Sequence, residues 1–86
     1  MKVRIPTPLR SYTGGASEVD ADGATLAELI DDLDRRYPGL RFRVIDEQGR
    51  LRQHMRLFVN RAMEHDLGDP LAPTDEVVLM QALSGG

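Results

Sequence analysis

Residues 25–39 read TLAELIDDLDRRYPG, and this stretch is the clearest helix signal in the chain. Thr25 lies three residues before Glu28, the spacing of a capping box that satisfies free amide groups at a helix start. The charged residues of Asp31–Arg36 fall mostly on one side of this helix, which we interpret as a solvated face. A Pro-Gly pair ends the stretch. The opposite face carries apolar residues at helical spacing: Leu26, Leu29, Ile30, Leu33 and Tyr37.

Strand patterns precede and follow this helix. Val3 and Ile5 alternate with charged residues, which predicts a half-buried first strand. A Gly-Gly turn then leads to a second strand around Ala16–Ala21. At the other end of the chain, residues 76–82 are apolar on both faces, as is typical of a central strand.

The middle of the chain is less regular. Residues 55–60 alternate again, with Met55, Leu57 and Val59 on one face. Residues 40–45 fit either a helical turn or a strand, and residues 50–52 fit a short edge strand. Asn60 and Arg61 turn the chain, and residues 66–75 form a loop with two prolines and a glycine.

This order of elements predicts an α+β fold in which one main helix packs on one face of a small mixed sheet. The first and last strands lie side by side in the middle of the sheet. That arrangement is the ubiquitin-like β-grasp. We expect a β-grasp domain over residues 1–82 and a flexible C-terminal tail over residues 83–86.

Composition excludes several classes of function. A chain of 86 residues makes one small domain with little room for an enclosed active-site cleft, so we do not expect an enzyme. There is no cysteine, and His54 and His65 are far apart, so we expect no metal site. The net charge of −3 argues against nucleic acid. No stretch fits a signal peptide or a membrane span, and we expect a cytoplasmic protein.

The C-terminus carries the strongest functional signal. Gly85 and Gly86 end the chain, and glycine has no Cβ, so such a tail can enter a channel too narrow for any side chain. The reactive group it presents there is the carboxylate of Gly86. A carboxylate is inert until it is activated, usually by adenylation with ATP. The sequence therefore predicts that Gly86, with Gly85 before it, is the site of activation.

At this point the chain resembles the MoaD/ThiS family of ubiquitin-like sulfur carriers. The resemblance covers nearly the whole chain, from the opening strand to the diglycine, and it includes Tyr37-Pro38-Gly39, Phe58-Val59-Asn60 and Asp75-Glu76-Val77. The N-terminal residues Ile5–Arg10, followed by a Thr-Gly-Gly turn, are most similar to CysO-type carriers. Those carriers feed sulfur to cysteine synthesis.

The resemblance implies a carrier with no bound cofactor. A partner adenylyltransferase uses ATP to activate Gly86, and a sulfurtransferase or persulfide donor supplies the sulfur. The resulting thiocarboxylate donates sulfur to an acceptor, a cysteine synthase-like enzyme or another synthase. The product is cysteine, molybdopterin, thiamin or a related compound. No nucleic acid and no membrane is implied as a partner.

Two other functions remain open from the sequence. A protein modifier would join Gly86 to lysines of target proteins, although Lys2 is the one lysine that could extend a chain of modifiers. A binding module would work without covalent chemistry at Gly86.

The strand pattern also predicts a partner-docking surface. Phe58 is a large apolar side chain on an otherwise polar strand face, and Val78 and Met80 point away from the helix. If these strands pair, the three residues form an exposed apolar patch beside the tail, which begins at Leu83. Alternatively, Phe58 tucks under the 40–52 segment and completes the core.

Overall fold

Five strands form one mixed sheet in the part of the chain that the computed structural model describes, residues 1–82. A short 3₁₀ helix over Thr7–Thr13 connects the first two strands. The strands and the two α-helices are β1 (Lys2–Arg4), β2 (Glu18–Asp20), α1 (Leu26–Arg36), α2 (Leu40–Val44), β3 (Met55–Val59), β4 (Ala62–Glu64) and β5 (Val77–Gln81).

The sheet has the order β2-β1-β5-β3-β4. Strands β1 and β5 are parallel neighbours, and the other three pairings are antiparallel. Strand β5 therefore lies in the middle, which explains why its sequence is apolar on both faces. The predicted β-grasp, with first and last strands side by side and the main helix on one face, is confirmed.

Helix α1 begins as its sequence predicts. The Glu28 amide donates to Thr25 Oγ1 at 3.2 Å, and the Thr25 hydroxyl lies 3.3 Å from a Glu28 carboxylate oxygen. Leu29 and its apolar neighbours on α1 are at most 2% exposed. They join the inner face of the sheet in one buried cluster that includes Val3, Ile5, Leu57, Val77 and Leu79.

The buried core includes more residues than the apolar faces of the predicted helix and strands. Val59 is half-buried and packs at the edge of the cluster, because it lies at the end of β3. Four further buried residues come from segments whose structure the sequence left open or did not specify: Leu9, Leu40, Val44 and Ile45. Helix α2 packs against α1 and the 3₁₀ helix, so these short helices close the side of the core that α1 does not cover.

Three element boundaries also differ from the sequence predictions. The second strand covers Glu18–Asp20 and not 16–21, and its central residue, Val19, is buried. Of the two structures that fit residues 40–45, Leu40–Val44 form the helical one, and Leu51 makes only an isolated bridge to Ile45 instead of an edge strand. Strand β4 was not predicted. It pairs with β3 after a turn in which Asn60 and Arg61 have φ angles of 50° and 73°.

One residue of the predicted solvated face of α1 is buried. The Asp32 carboxylate accepts hydrogen bonds from Arg35 at 2.8 Å, from Arg36 Nε at 2.9 Å and from the Asp22 amide at 2.9 Å. These bonds connect the loop before α1 to its last turns. They lower the pKa of Asp32 from 3.8 to about 2, chiefly through Arg35 and the Asp22 amide.

Replacing Asp32 with asparagine is expected to lower the thermal midpoint at neutral pH, since the charge-assisted hydrogen bonds are lost. Because the pKa of Asp32 is lower in the folded state, its ionised carboxylate stabilises the fold fully above pH 3.8. This contribution disappears as the pH falls through about 2. Thermal midpoints measured across that pH range should show a shrinking difference between wild type and Asp32→Asn as the pH falls. Asp31→Asn, which removes one exposed ion pair with Arg41, is the control. A pH-independent difference would mean that charge is not the cause.

Candidate partner-docking surface and carboxyl terminus

Strand β5 carries the chain toward its terminus. The strand ends at Gln81, and the Ala82 amide donates to the His54 carbonyl oxygen at 2.7 Å. Three of the predicted site residues, Leu83, Gly85 and Gly86, lie outside the described residues. The last described residue, Ala82, is thus hydrogen-bonded at the end of the sheet, three positions before Gly85 in the sequence.

The remaining predicted site residues, Phe58, Val78 and Met80, share the sheet face opposite the helices. In the β3–β5 register Phe58 lies directly across from Val78, and Arg56 lies across from Met80. Met80 is 50% exposed, while Phe58 and Val78 are half-buried. The expected pairing of these strands is therefore present. The assignment of this apolar patch to partner docking stays a prediction.

The structure does not place Phe58 under the 40–52 segment, as the alternative required. Helix α2 packs on the other side of the sheet, together with α1. Phe58 is absent from the buried cluster, because its neighbour Leu57 takes the inward position in the alternating strand. The side chain of Phe58 thus belongs to the outer face.

Sequence reasoning missed one member of this face. Met63 on β4 lies across from Phe58 and is 48% exposed. Its signal was the turn at Asn60–Arg61, because a tight turn after one strand favours a second strand that pairs back. With Met63 included, the apolar patch crosses three neighbouring strands: Phe58, Met63, Val78 and Met80.

Cationic side chains flank the patch. Arg4 lies across from Val78 on β1, and Arg56 lies across from Met80. The Arg56 guanidinium donates to the carbonyl oxygens of Gln53 and Met55 at 2.8 and 2.9 Å, which holds it near the surface. A partner that covers this face must therefore match apolar surface at the centre and positive charge at its edge.

Hydrogen bonds between the end of β3 and the segment that leads into β5 fix the register in which these two strands pair. The Asn60 side-chain amide donates to Asp75 at 2.9 Å and accepts from the Glu76 amide at 3.0 Å. The Ala72 amide donates to the same aspartate at 2.8 Å, and this bond, with that from Asn60, lowers the pKa of Asp75. Because these hydrogen bonds hold the start of β5 beside the end of β3, Phe58 and Val78 lie opposite each other.

A second surface lies at the other side of the chain's exit from the sheet. A groove of about 220 Å³ is lined by Phe42, Arg43, Arg52, His54, Met55 and Gln81. Phe42 is 59% exposed, and the Arg52 guanidinium lies 4.5 Å from the centre of its ring. Sequence reasoning missed this groove, because the segment that builds it fitted both a helical turn and a strand.

Neither surface offers a metal centre within residues 1–82. No cluster of three or more histidine, aspartate or glutamate side chains is placed to hold an ion there. No helix in the same range has the length and apolarity of a membrane span.

Comparisons with known proteins agree with this architecture. The chain is 36% identical to the sulfur carrier protein CysO of Mycobacterium tuberculosis, over 98% of this chain and 96% of that protein. A chain in the crystal structure of the Amycolatopsis orientalis BexX/CysO complex superimposes with a TM-score of 0.90 at 34% identity, covering 99% and 98% of the two chains.

A third similar structure is SAMP1 from Haloferax volcanii, with a TM-score of 0.79 at 31% identity over 99% of this chain and 97% of that one. The sequence profile of the ThiS family matches residues 3–86. Since both the profile and the CysO similarity cover nearly the whole chain, this protein belongs to the ThiS family and is a homologue of CysO-type sulfur carriers.

Proposed function

We propose that this protein is a sulfur carrier whose Gly86 carboxylate is adenylated by a partner enzyme and then converted to a thiocarboxylate. The observation that carries the proposal is the ThiS family match, which extends to the last residue and so includes the diglycine. The similarity to CysO over the whole chain supports it.

The chemistry proceeds on the terminal carbon and needs no acid or base from the carrier. A Gly86 carboxylate oxygen attacks the α-phosphate of ATP in the partner's site, and pyrophosphate leaves. Sulfide, or the terminal sulfur of a persulfide, then attacks the acyl carbon and displaces AMP. Sulfide gives the thiocarboxylate directly. A persulfide gives an acyl disulfide, and a thiol of the sulfur-donating system cleaves its S–S bond to release the thiocarboxylate and a disulfide. The carrier supplies the substrate group and the docking surface, while the partner supplies the catalysis.

The acceptor of this sulfur is a biosynthetic enzyme. A cysteine synthase-like acceptor is supported by the CysO similarity, and molybdopterin and thiamin synthesis remain alternatives. The BexX/CysO complex supports the expectation that such a carrier assembles with other proteins.

The test is the intact mass of the protein purified from its native cell. We expect a fraction of molecules whose mass corresponds to one oxygen replaced by sulfur, located at Gly86 by fragmentation. Treatment with an alkylating reagent should label that fraction, because the chain has no cysteine to compete. Only unmodified carboxylate under conditions of high sulfur demand would contradict the proposal.

A protein-modifier function is the second candidate. It is favoured by the similarity to the small archaeal modifier protein 1 structures from Haloferax volcanii. In that case Gly86 forms isopeptide bonds, and C-terminal peptides of this chain should appear on lysines of other proteins after protease digestion, for example residues 62–86 after cleavage at Arg61. The same native cell supplies both measurements, so the two functions can be separated or found together.

The activating enzyme is proposed to dock on the apolar patch. In the double variant Phe58→Ala with Met80→Ala, the carrier concentration needed for half-maximal adenylation should rise several-fold, because apolar contact area is lost. The thermal midpoint should fall little, since neither residue belongs to the buried cluster.

The matched control is Phe42→Ala, which removes an exposed aromatic side chain from the other surface. It should leave the adenylation step unchanged. If the double variant instead shows normal kinetics and a large loss of stability, the patch is part of the core and the docking proposal is wrong.

A further inference from the structure

The groove beside the end of β5 contains a restrained aromatic side chain. Arg52 Nε donates to the Phe42 carbonyl oxygen at 2.6 Å, and the same guanidinium lies 4.5 Å from the centre of the Phe42 ring. Phe42 is nevertheless 59% exposed, so much of the ring is open to contact. An aromatic residue restrained in this way offers apolar contact area at low entropic cost.

The groove also carries positive charge with no carboxylate of residues 1–82 in its lining. Arg43 and Arg52 both belong to that lining, and neither forms an ion pair with a side chain in the same described range. The neighbouring Arg41, in contrast, is paired with Asp31 at 3.0 Å. The groove therefore favours an occupant that combines a negative charge with an apolar side chain.

The chain leaves the sheet beside this groove. Gln81, the last residue of β5, is part of the lining, and the Ala82 amide donates to the carbonyl oxygen of His54, another lining residue, at 2.7 Å. Four residues follow Ala82 in the sequence. A segment of that length spans at most about 14 Å. Since the groove has a volume of only about 220 Å³, this length is enough to reach its other lining residues.

The residues after Ala82 have the chemistry that the groove favours. Their sequence, Leu-Ser-Gly-Gly, contains one large apolar side chain and no basic residue. Under the proposed function Gly86 carries the terminal carboxylate, which is ionised at neutral pH. A group joined to its binding site by so short a segment has an effective concentration on the order of millimolar, so individually weak contacts are enough to bind it.

We propose that this groove docks the chain's own C-terminal segment, residues 83–86. The terminal carboxylate pairs with Arg43 and Arg52, and the Leu83 side chain packs on Phe42. The inference rests on the proposed function, in which the diglycine ends the chain. Such a carrier holds its reactive terminus against its own surface between encounters with partner enzymes. Because exposed ion pairs are weak, the segment is released readily, and a partner takes it in the released state.

The test is NMR spectroscopy of the full-length, unmodified protein. We expect nuclear Overhauser effects between the Leu83 methyl groups and the Phe42 ring, and an upfield ring-current shift of those methyl signals. Both should weaken several-fold in Arg43→Gln, because the carboxylate loses a partner, and Arg43→Lys should retain more of each. The matched control is Arg61→Gln, which removes an exposed charge in the β3–β4 turn and should change neither signal.

A C-terminal amide tests the carboxylate directly. The amide removes the charge of the terminus and leaves every side chain in place. The amidated protein should lose the contact between Leu83 and Phe42 as far as Arg43→Gln does. High salt should weaken the same contact in the unmodified protein, since it screens exposed charges.

Absence of the contact between Leu83 and Phe42 in wild type overturns the docking inference. A contact that is equally strong in wild type and in either Arg43→Gln or the amidated protein also overturns it. The measurement uses protein without sulfur, so it is independent of loading. A docked terminus on a protein that never carries sulfur would uphold the groove and contradict the proposed function, whereas sulfur loading without docking would overturn only the groove.

Discussion

Deleting Gly86 is expected to abolish loading of sulfur while the fold is unchanged. The new terminal carboxylate would lie one residue, about 3.5 Å, short of its position in the activating site. Reacting atoms must approach within about 3–3.5 Å, so a displacement of this size prevents attack on the nucleotide. The intact mass of the variant from the native cell should show no thiocarboxylate. Its thermal midpoint should equal that of wild type, because β5 ends at Gln81.

A bulky residue at position 85 should have the same effect for a different reason. Gly85→Phe keeps the length of the tail and adds a side chain that a narrow channel rejects. Ser84→Ala is the matched control, since it changes a tail residue and leaves the diglycine intact. If the Gly86 deletion retained full biological function, covalent chemistry at the terminus would be excluded and a non-covalent binding module would be favoured.

The sequence predicted those parts of the fold that depend on long periodic patterns. Helix α1 has a capping residue and an apolar stripe, so local and tertiary preferences agree. Strand β5 is apolar on both faces, and a small sheet has only its middle to bury such a strand. These two elements are enough to specify the topology, because β1 must lie next to β5 for the helix to cover both.

The shorter segments could not be assigned from pattern alone. Residues 40–44 make a single helical turn, and so short a run fits both the periodicity of a helix and that of a strand. Strand β4 has three residues and follows a turn without glycine, although positive φ at Arg61 is unusual for a side chain of that size. In both segments tertiary packing, and not local preference, selects the structure.

The apolar patch could be predicted from the sequence and the groove could not, because only the patch lies on strands with a regular alternating pattern. Alternation in β3 and β5 shows which side chains leave the core, and pairing of two long strands brings them together. The groove needs α2, the 50–54 segment and the end of β5 to meet. A hydrogen bond from Arg52 to the Phe42 carbonyl joins two of these segments, and no spacing in the sequence reveals it.

Burial of the last described strand also bears on function. Val77 and Leu79 are 1% exposed, so the strand that carries the terminus is anchored in the core and flanked on both sides. A partner that draws on the tail pulls against this strand. The terminus therefore follows a strand that is buried and paired on both sides.

Leu29→Ala is expected to destabilise the protein by about 2–5 kcal/mol, which is a large share of the stability of a domain this small. Leu29 is 1% exposed and lies in the centre of the helix stripe that packs on the sheet. Truncation removes apolar contacts and leaves a cavity that the surrounding structure fills only in part. Chemical denaturation gives the free energy of unfolding.

The control for this prediction is Met80→Ala, which removes a side chain of similar volume that is 50% exposed. Met80→Ala should lower the free energy of unfolding far less than Leu29→Ala, since water replaces the lost atoms and no cavity forms. Leu29→Met, which nearly conserves volume, should cost less than about 1.5 kcal/mol. Equal losses in Leu29→Ala and Met80→Ala would mean that the helix does not pack on the sheet as described. If the packing is correct, the loss follows cavity volume and not side-chain identity, because α1 shares one buried core with β1 and β5.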